Sequence, residues 1–157
     1  AGSCEDSVSF LPALLGKPLP ASTRAGVVHH SSSGHFAYRM GKWKLVLARG
    51  SGGWSAPKED AARKAGAPEA QLYDMEADPG EKRNLYLEQP DVAERLLVRL
   101  KADVANGRSV QGPESKNDME HVNFWKSGRD STENTGSGPP KNRKGGKKKG
   151  KGKKKSS

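Results

Sequence analysis

The chain has 157 residues, room for one domain of ordinary size, with 32% apolar and 29% charged residues, so any core is modest. Lys plus Arg number 28 against 18 acids, a net charge of +10, yet Lys141 to Ser157 alone holds 10 of the bases and no acid. The remaining 18 bases balance the 18 acids, which excludes a uniformly basic nucleic-acid-binding domain.

The lone cysteine, Cys4, excludes an internal disulfide framework and a multi-Cys zinc cluster. Apolar runs are only a few residues long, so no helical membrane span is expected. Residues Ala1 to Asp6 have neither a basic start nor an apolar stretch and do not read as a secretory signal. With no initiator Met, the chain reads as either processed or cut from a longer polypeptide, and the resemblance given below favours the second.

In chain order, Ser7 to Gly16 (SVSFLPALLG) comes first. Phe10, Leu11, Leu14 and Leu15 form a helical stripe seeking a partner surface, with Asp6 or Ser7 as its expected cap. Gly16, Pro18 and Pro20 end it. A strand is expected over Gly26 to Ser31. His35 to Arg49 (HFAYRMGKWKLVLAR) then reads as a hairpin on the loop Gly41-Lys42, with glycine suiting the first position of a type II′ turn. That register pairs Met40 with Trp43, Tyr38 with Leu45 and Phe36 with Leu47, all on one face. Arg39 then faces Lys44, and such a like-charge pair calls for a nearby acid or an anionic partner, with neutralisation by Asp74, Asp78 or Glu81 the reading favoured over an anion site.

Gly50 to Pro57 reads as a glycine-rich loop, Lys58 to Pro68 as a polar excursion and Gln71 to Met75 as a further strand. Asp78-Pro79-Gly80-Glu81 predicts a type II turn, and this turn and Asn84 read as structural. Pro90 opens a helix to about Asn106, with Ala93, Leu96, Leu97, Leu100 and Val104 on its apolar side and Gly107 at its end. Arg99 and Lys101 are expected near its negative end. The segment holding His121 and Trp125 is expected to pack back on the domain. From Ser127 to Ser157 no apolar side chain occurs, and such a stretch is expected to be disordered. The fold class expected is α+β: a small antiparallel sheet of about four strands covered by one C-terminal helix, followed by a disordered basic tail.

Two linked motifs carry a family resemblance: FAYRMGKWKL at Phe36 to Leu45, and LYDMEADPGEKRNL at Leu72 to Leu85. With the closing QPDVAERLLVRL helix, they resemble the C-terminal subdomain of type I sulfatases, the arylsulfatase A-like enzymes with an alkaline-phosphatase-like fold. The opening EDSVSFLPALLGK resembles the hand-over from the family's catalytic domain. The resemblance covers about residues 5 to 113. It implies residues 1–25 as the end of a catalytic domain and linker, 26–113 as the subdomain, 114–126 as a peripheral segment and 127–157 as the tail. It further implies a sulfuric ester hydrolase acting on aryl or carbohydrate sulfates. Such an enzyme uses a formylglycine, made within a C/S-x-P-x-R motif, and a divalent cation, usually calcium.

The chain lacks that motif, since Cys4 is followed by Glu5, Asp6, Ser7 and Val8, and nothing in it matches the family's metal-binding aspartates. It is therefore expected to hold no catalytic residue, no metal and no cofactor of its own, and to be inactive alone. The expected partner is the N-terminal catalytic domain, together with a sulfated small molecule or polysaccharide; the family implies a periplasmic or secreted location. Expected rim contacts with substrate are His29 or His30, Ser51 in the glycine-rich loop, and Trp54, whose ring suits stacking on a sugar or aryl group. The two histidines, consecutive in a strand, point to opposite faces and do not share a metal in that conformation. Each of these residues also has a purely structural reading. The alternative is a small non-enzymatic module that binds polyanions through its lysine tail, blind to sequence and sensitive to salt.

Overall fold

The computed structural model describes residues 6–19, 24–110, 112–117, 119 and 121–126. The lysine-rich tail, for which disorder is expected, and Cys4 lie outside the described residues. Among the described residues the elements are α1 (Leu11–Leu14), β1 (Val27–His30), β2 (Phe36–Met40), β3 (Trp43–Val46), α2 (Glu59–Lys64), β4 (Gln71–Asp74) and α3 (Pro90–Ala105).

The four strands form one antiparallel sheet in the order β1-β2-β3-β4. In the β2–β3 hairpin, Met40 pairs with Trp43, Tyr38 with Leu45 and Arg39 with Lys44. The Leu47 amide donates to the Phe36 carbonyl at 2.8 Å and extends the same register. Gly41 turns the chain with φ of 57° while Lys42 keeps a negative φ, the combination a type II′ turn requires. Alternation along the strands therefore sorts the apolar side chains onto one face.

That face is covered by α3. Tyr38, Leu45 and Leu72 align across three strands and are fully buried, as are Leu96 and Leu100 on the helix. Each buried leucine stabilises by about 1.5–3 kcal/mol relative to exposure. Pro90 stands at the first position of α3, where its missing N–H costs nothing, and Asp91 lies in the positive first turn. The helix ends as the Arg108 amide reaches the Asp103 carbonyl and the Gly107 amide that of Val104, a Schellman closure. The last turn contains no basic residue; Arg99 instead pairs with Asp103 at 3.0 Å. Residues 121–126 pack on the same core without regular secondary structure, with Trp125 buried and Phe124 against Phe36 at 5.0 Å between ring centroids.

Three local expectations are corrected. Asp6 does not cap α1, whose N-cap is Phe10 without a side-chain hydrogen bond. Its carboxylate instead accepts from the amides of Ser109 and Val110 and from the Ser109 hydroxyl, joining the start of the described chain to the end of the helix. The turn at residues 78–81 closes with a Glu81 N–H to Asp78 carbonyl bond, but Gly80 stays out of the left-handed region that type II demands. Glu81 takes that conformation itself, with φ of 54°. The polar excursion contains α2, a six-residue helix that buries only Ala62 and whose Glu59 carboxylate accepts from the amides of Arg49 and Gly50.

Candidate functional site

The sheet face turned away from α3 is the candidate site. Strand alternation places His29, Ala37, Val46 and Gln71 in one row across it, and Val27, Arg39, Lys44 and Tyr73 in the next. The loop over residues 50–57 forms a wall at one side. It is pinned by the Ser51 amide on the Pro57 carbonyl and by the Ser51 hydroxyl on the Ser55 carbonyl, 2.8 and 2.7 Å. Gln71 fixes the root of the loop by donating to the carbonyls of Ala48 and Gly50, while its own oxygen accepts from the Tyr73 hydroxyl. Between wall and sheet lies a recess of about 620 Å³.

The floor of the recess is mixed, with Ala37, Val46 and Tyr73 lying beside Arg39, Lys44 and Gln71. Ala37 and Tyr73 are buried and Val46 is half-buried, whereas His29 and Arg39 are exposed. Burial raises the Tyr73 hydroxyl pKa above its ordinary value, and the charges of Glu81 and Asp78 add to the shift. Lys44 is neutralised by Glu81 at 2.5 Å, one of the three acids expected for it. The left-handed Glu81 lies on the turn after β4 and also lines the recess. Asp74, a second candidate, bonds Lys42 at 2.6 Å; that hydrogen bond raises the lysine pKa and lowers the carboxylate's. The third, Asp78, is occupied by the amides of Lys82 and Arg83, both at 2.7 Å. Asn84 likewise serves structure: it accepts from the amides of Leu72 and Tyr86 and donates to the Ala70 carbonyl.

Three of the four sequence candidates meet in this recess. His29, His30 and Ser51 all line it. His30 projects toward the helix side and leans on Phe36 at 4.2 Å between ring centroids. It still reaches the rim because β1 is the edge strand. Trp54 is not among the lining residues; it stands 87% exposed on the loop. Its carbonyl accepts from Lys58 Nζ, so the backbone beneath the ring is held while the ring is free.

His35 belongs to the site but was not singled out from the sequence. It is buried against the recess, with Nδ1 3.1 Å from the Leu47 carbonyl and its amide on Ser31 Oγ. Its only sequence signal is a third histidine directly preceding the hairpin.

Among the described residues no group of three or more His, Cys, Asp or Glu is gathered to hold a metal. A second cavity of about 420 Å³ lies beside α3, lined among others by Leu97, Tyr86 and Trp125. No helix of the described residues is long and apolar enough to cross a membrane.

No protein-family model matches the chain, and no curated protein matches it. Among solved structures it is similar to a Bacteroides thetaiotaomicron protein of the metabolism of multiple glycosaminoglycans, designated 6S-sulf. The two share 26% identity with a TM-score of 0.39, over 59% of this chain and 22% of that one. The match therefore spans about a fifth of that protein's length.

Proposed function

We propose that the chain is the C-terminal subdomain of a sulfatase-like hydrolase of sulfate esters. In this reading residues 26–113 are the subdomain, residues 1–25 lead in from a catalytic domain, and 114–126 are peripheral to both. Formylglycine and the divalent cation belong to that catalytic domain, and this chain supplies one wall of the substrate pocket through His29, His30, Ser51 and Trp54. Export from the cytoplasm forms part of the same proposal.

The observation that carries it is the physical union of the two motifs behind the resemblance. FAYRMGKWKL and LYDMEADPGEKRNL are neighbours in the sheet, with Leu45 paired to Leu72 and Lys44 held by Glu81. Supporting it, Phe10, Leu11, Leu14, Leu15 and Leu19 are each more than half exposed, an apolar patch on one short segment. A catalytic domain packed on α1 would bury them.

The test is Leu11→Asp with Leu14→Asp. In the isolated chain these exposed positions leave the melting temperature unchanged. In a longer polypeptide carrying the catalytic domain, the pair lowers sulfate release and loosens the domain junction to proteolysis. Equal activity and equal protease resistance would argue against the reading.

A second reading rests on the 10 bases and absent acids of Lys141 to Ser157. A polyanion-binding module acting through this tail is retained on heparin resin, elutes early as salt rises, and loses retention when the tail is deleted.

A further inference from the structure

The loop between β4 and α3 is fixed at several points. The Leu85 amide donates to the Leu72 carbonyl, and the amides of Glu88 and Gln89 both reach the Leu85 carbonyl. Tyr86 is held twice, by its amide on Asn84 Oδ1 and by its hydroxyl on Glu69 Oε1 at 3.0 Å. Pro90 then opens α3 with its backbone angle set by the ring. A segment pinned in this way does not fold inward, and beside it the cavity of about 420 Å³ stays open.

The cavity is graded from dry to wet. Leu45, Leu47, Ala93 and Trp125 at its base are each no more than 5% exposed. Leu97 and Tyr86 are half-buried, while Leu87 and Pro90 are exposed at the mouth. Eight of the nine lining side chains are thus apolar or aromatic, and the ninth is Glu94. Glu94 is exposed, and among the described residues it makes no ion pair.

Charge decides which ligand fits. From Tyr86 to Glu94 the chain carries three acids, Glu88, Asp91 and Glu94, and no base. Arg83 answers Glu88 at 2.7 Å. Arg95 follows Glu94 directly, and adjacent helix positions do not face each other. An anion is repelled at such a mouth, whereas a cation with an apolar body satisfies both the lining and the carboxylate. The volume lies at the small end of ligand pockets, about 300–1,000 Å³, and Tyr86 and Trp125 offer aromatic surface to a flat ring. We infer that the cavity beside α3 is a binding site for an arylalkylamine, its ring against Leu97, Tyr86 and Trp125 and its ammonium on Glu94.

This site goes beyond the proposed function. It lies on the helix side of the sheet, away from the recess, and takes a ligand opposite in charge to a sulfate ester. Binding here needs no catalytic domain, so it stands or falls independently of hydrolysis.

The experiment titrates the full ¹⁵N-labelled chain with tryptamine, an ammonium at neutral pH, and with three relatives. Tryptophol carries a hydroxyl in place of the ammonium, indole-3-propionate carries a carboxylate, and ethylamine lacks the ring. Tryptamine gives saturable shifts in the amides of Ala93, Glu94 and Leu97 and in the Trp125 indole N–H. Tryptophol binds about tenfold more weakly, and indole-3-propionate and ethylamine leave these signals in place. Glu94→Gln weakens tryptamine binding by about tenfold, as loss of a charge-assisted hydrogen bond implies, and leaves tryptophol binding unchanged. Because Glu94 is exposed, the variant melts at the wild-type temperature. Silence of these signals toward tryptamine would overturn the inference and assign the cavity to cover by a neighbouring domain. Indole-3-propionate binding as tightly as tryptamine, or equal tryptamine affinity in Glu94→Gln, would overturn it as well.

Discussion

The Tyr38 hydroxyl donates a 2.6 Å hydrogen bond to Oδ2 of Asp103, tying the middle of β2 to the last turn of α3. Tyr38 is fully buried and Asp103 only 4% exposed, so this carboxylate survives inside the core because both its oxygens are used, the other by Arg99. Asp103→Ala leaves the hydroxyl orphaned and should destabilise by about 2 kcal/mol; Tyr38→Phe should cost about 1 kcal/mol. In urea unfolding, the double variant should lose measurably less than the sum of the two. Additive losses would mean that the pair does not act as a unit.

The same bond sets an alkaline limit. Burial, then the hydrogen bond and charge of Asp103, push the Tyr38 pKa from 10.0 to about 12, against the opposing influence of Arg99. A group that keeps its proton more tightly when folded lends stability that is complete below its unfolded pKa and lost as pH rises through the folded value. Between pH 10 and about 12, therefore, the unfolding free energy of the wild type should fall more steeply than that of Tyr38→Phe. Parallel curves would contradict the shift.

Gly26, just before β1, has no room for a side chain: an added Cβ would overlap the ring of Tyr38. Because that ring is packed between sheet and helix, it has nowhere to go. Gly26→Ala should cost about 1–3 kcal/mol, read as a lowered melting temperature. An unchanged melting temperature would show that the ring has another place to sit.

Asp6 makes a different, local kind of link. Burial alone would raise its pKa, but hydrogen bonds from Ser109 and Val110 and the nearby Arg24 charge outweigh that and hold it below the ordinary value of 3.8. The stability this lends is present above pH 3.8 and lost as pH falls through the lowered folded value. The side chain is 46% exposed, so the effect of Asp6→Ala on global stability should stay below about 1 kcal/mol. Hydrogen exchange at the Ser109 and Val110 amides should nevertheless accelerate clearly in the variant at pH 7. Equal protection would mean that other groups hold this junction.

Much of the fold was legible because its main signals are local and periodic. The hairpin register followed from the spacing of Phe36, Tyr38 and Met40 against Trp43, Leu45 and Leu47, and one glycine marked the turn. The closing helix was readable from its apolar spacing and runs Pro90–Ala105 against the expected end near Asn106. What stayed hidden depends on partners distant in sequence. Asp103 looks like a solvent-facing helix residue until Tyr38, on another element, is seen to meet it. The short α2 has no apolar stripe to betray it, because its work is to present Glu59 to two loop amides. At the site, His29, His30 and Ser51 were candidates from the sequence, but His35 was not, because only the fold shows it packed beneath the loop. Which of the three acids meets Lys44 was likewise unreadable, since all three lie close together in sequence and only the fold brings Glu81 to it.

In the proposed function, this sheet-and-helix unit completes a sulfate ester hydrolase whose reacting groups lie on another domain. Its most direct test is sulfate release from 4-nitrophenyl sulfate and sulfated disaccharides, measured side by side for the chain alone and for a longer polypeptide that contains it. No release above blank is expected from the chain, and steady turnover from the longer form. Turnover by the chain alone, or a longer form that is silent toward every sulfate ester tried, would contradict it.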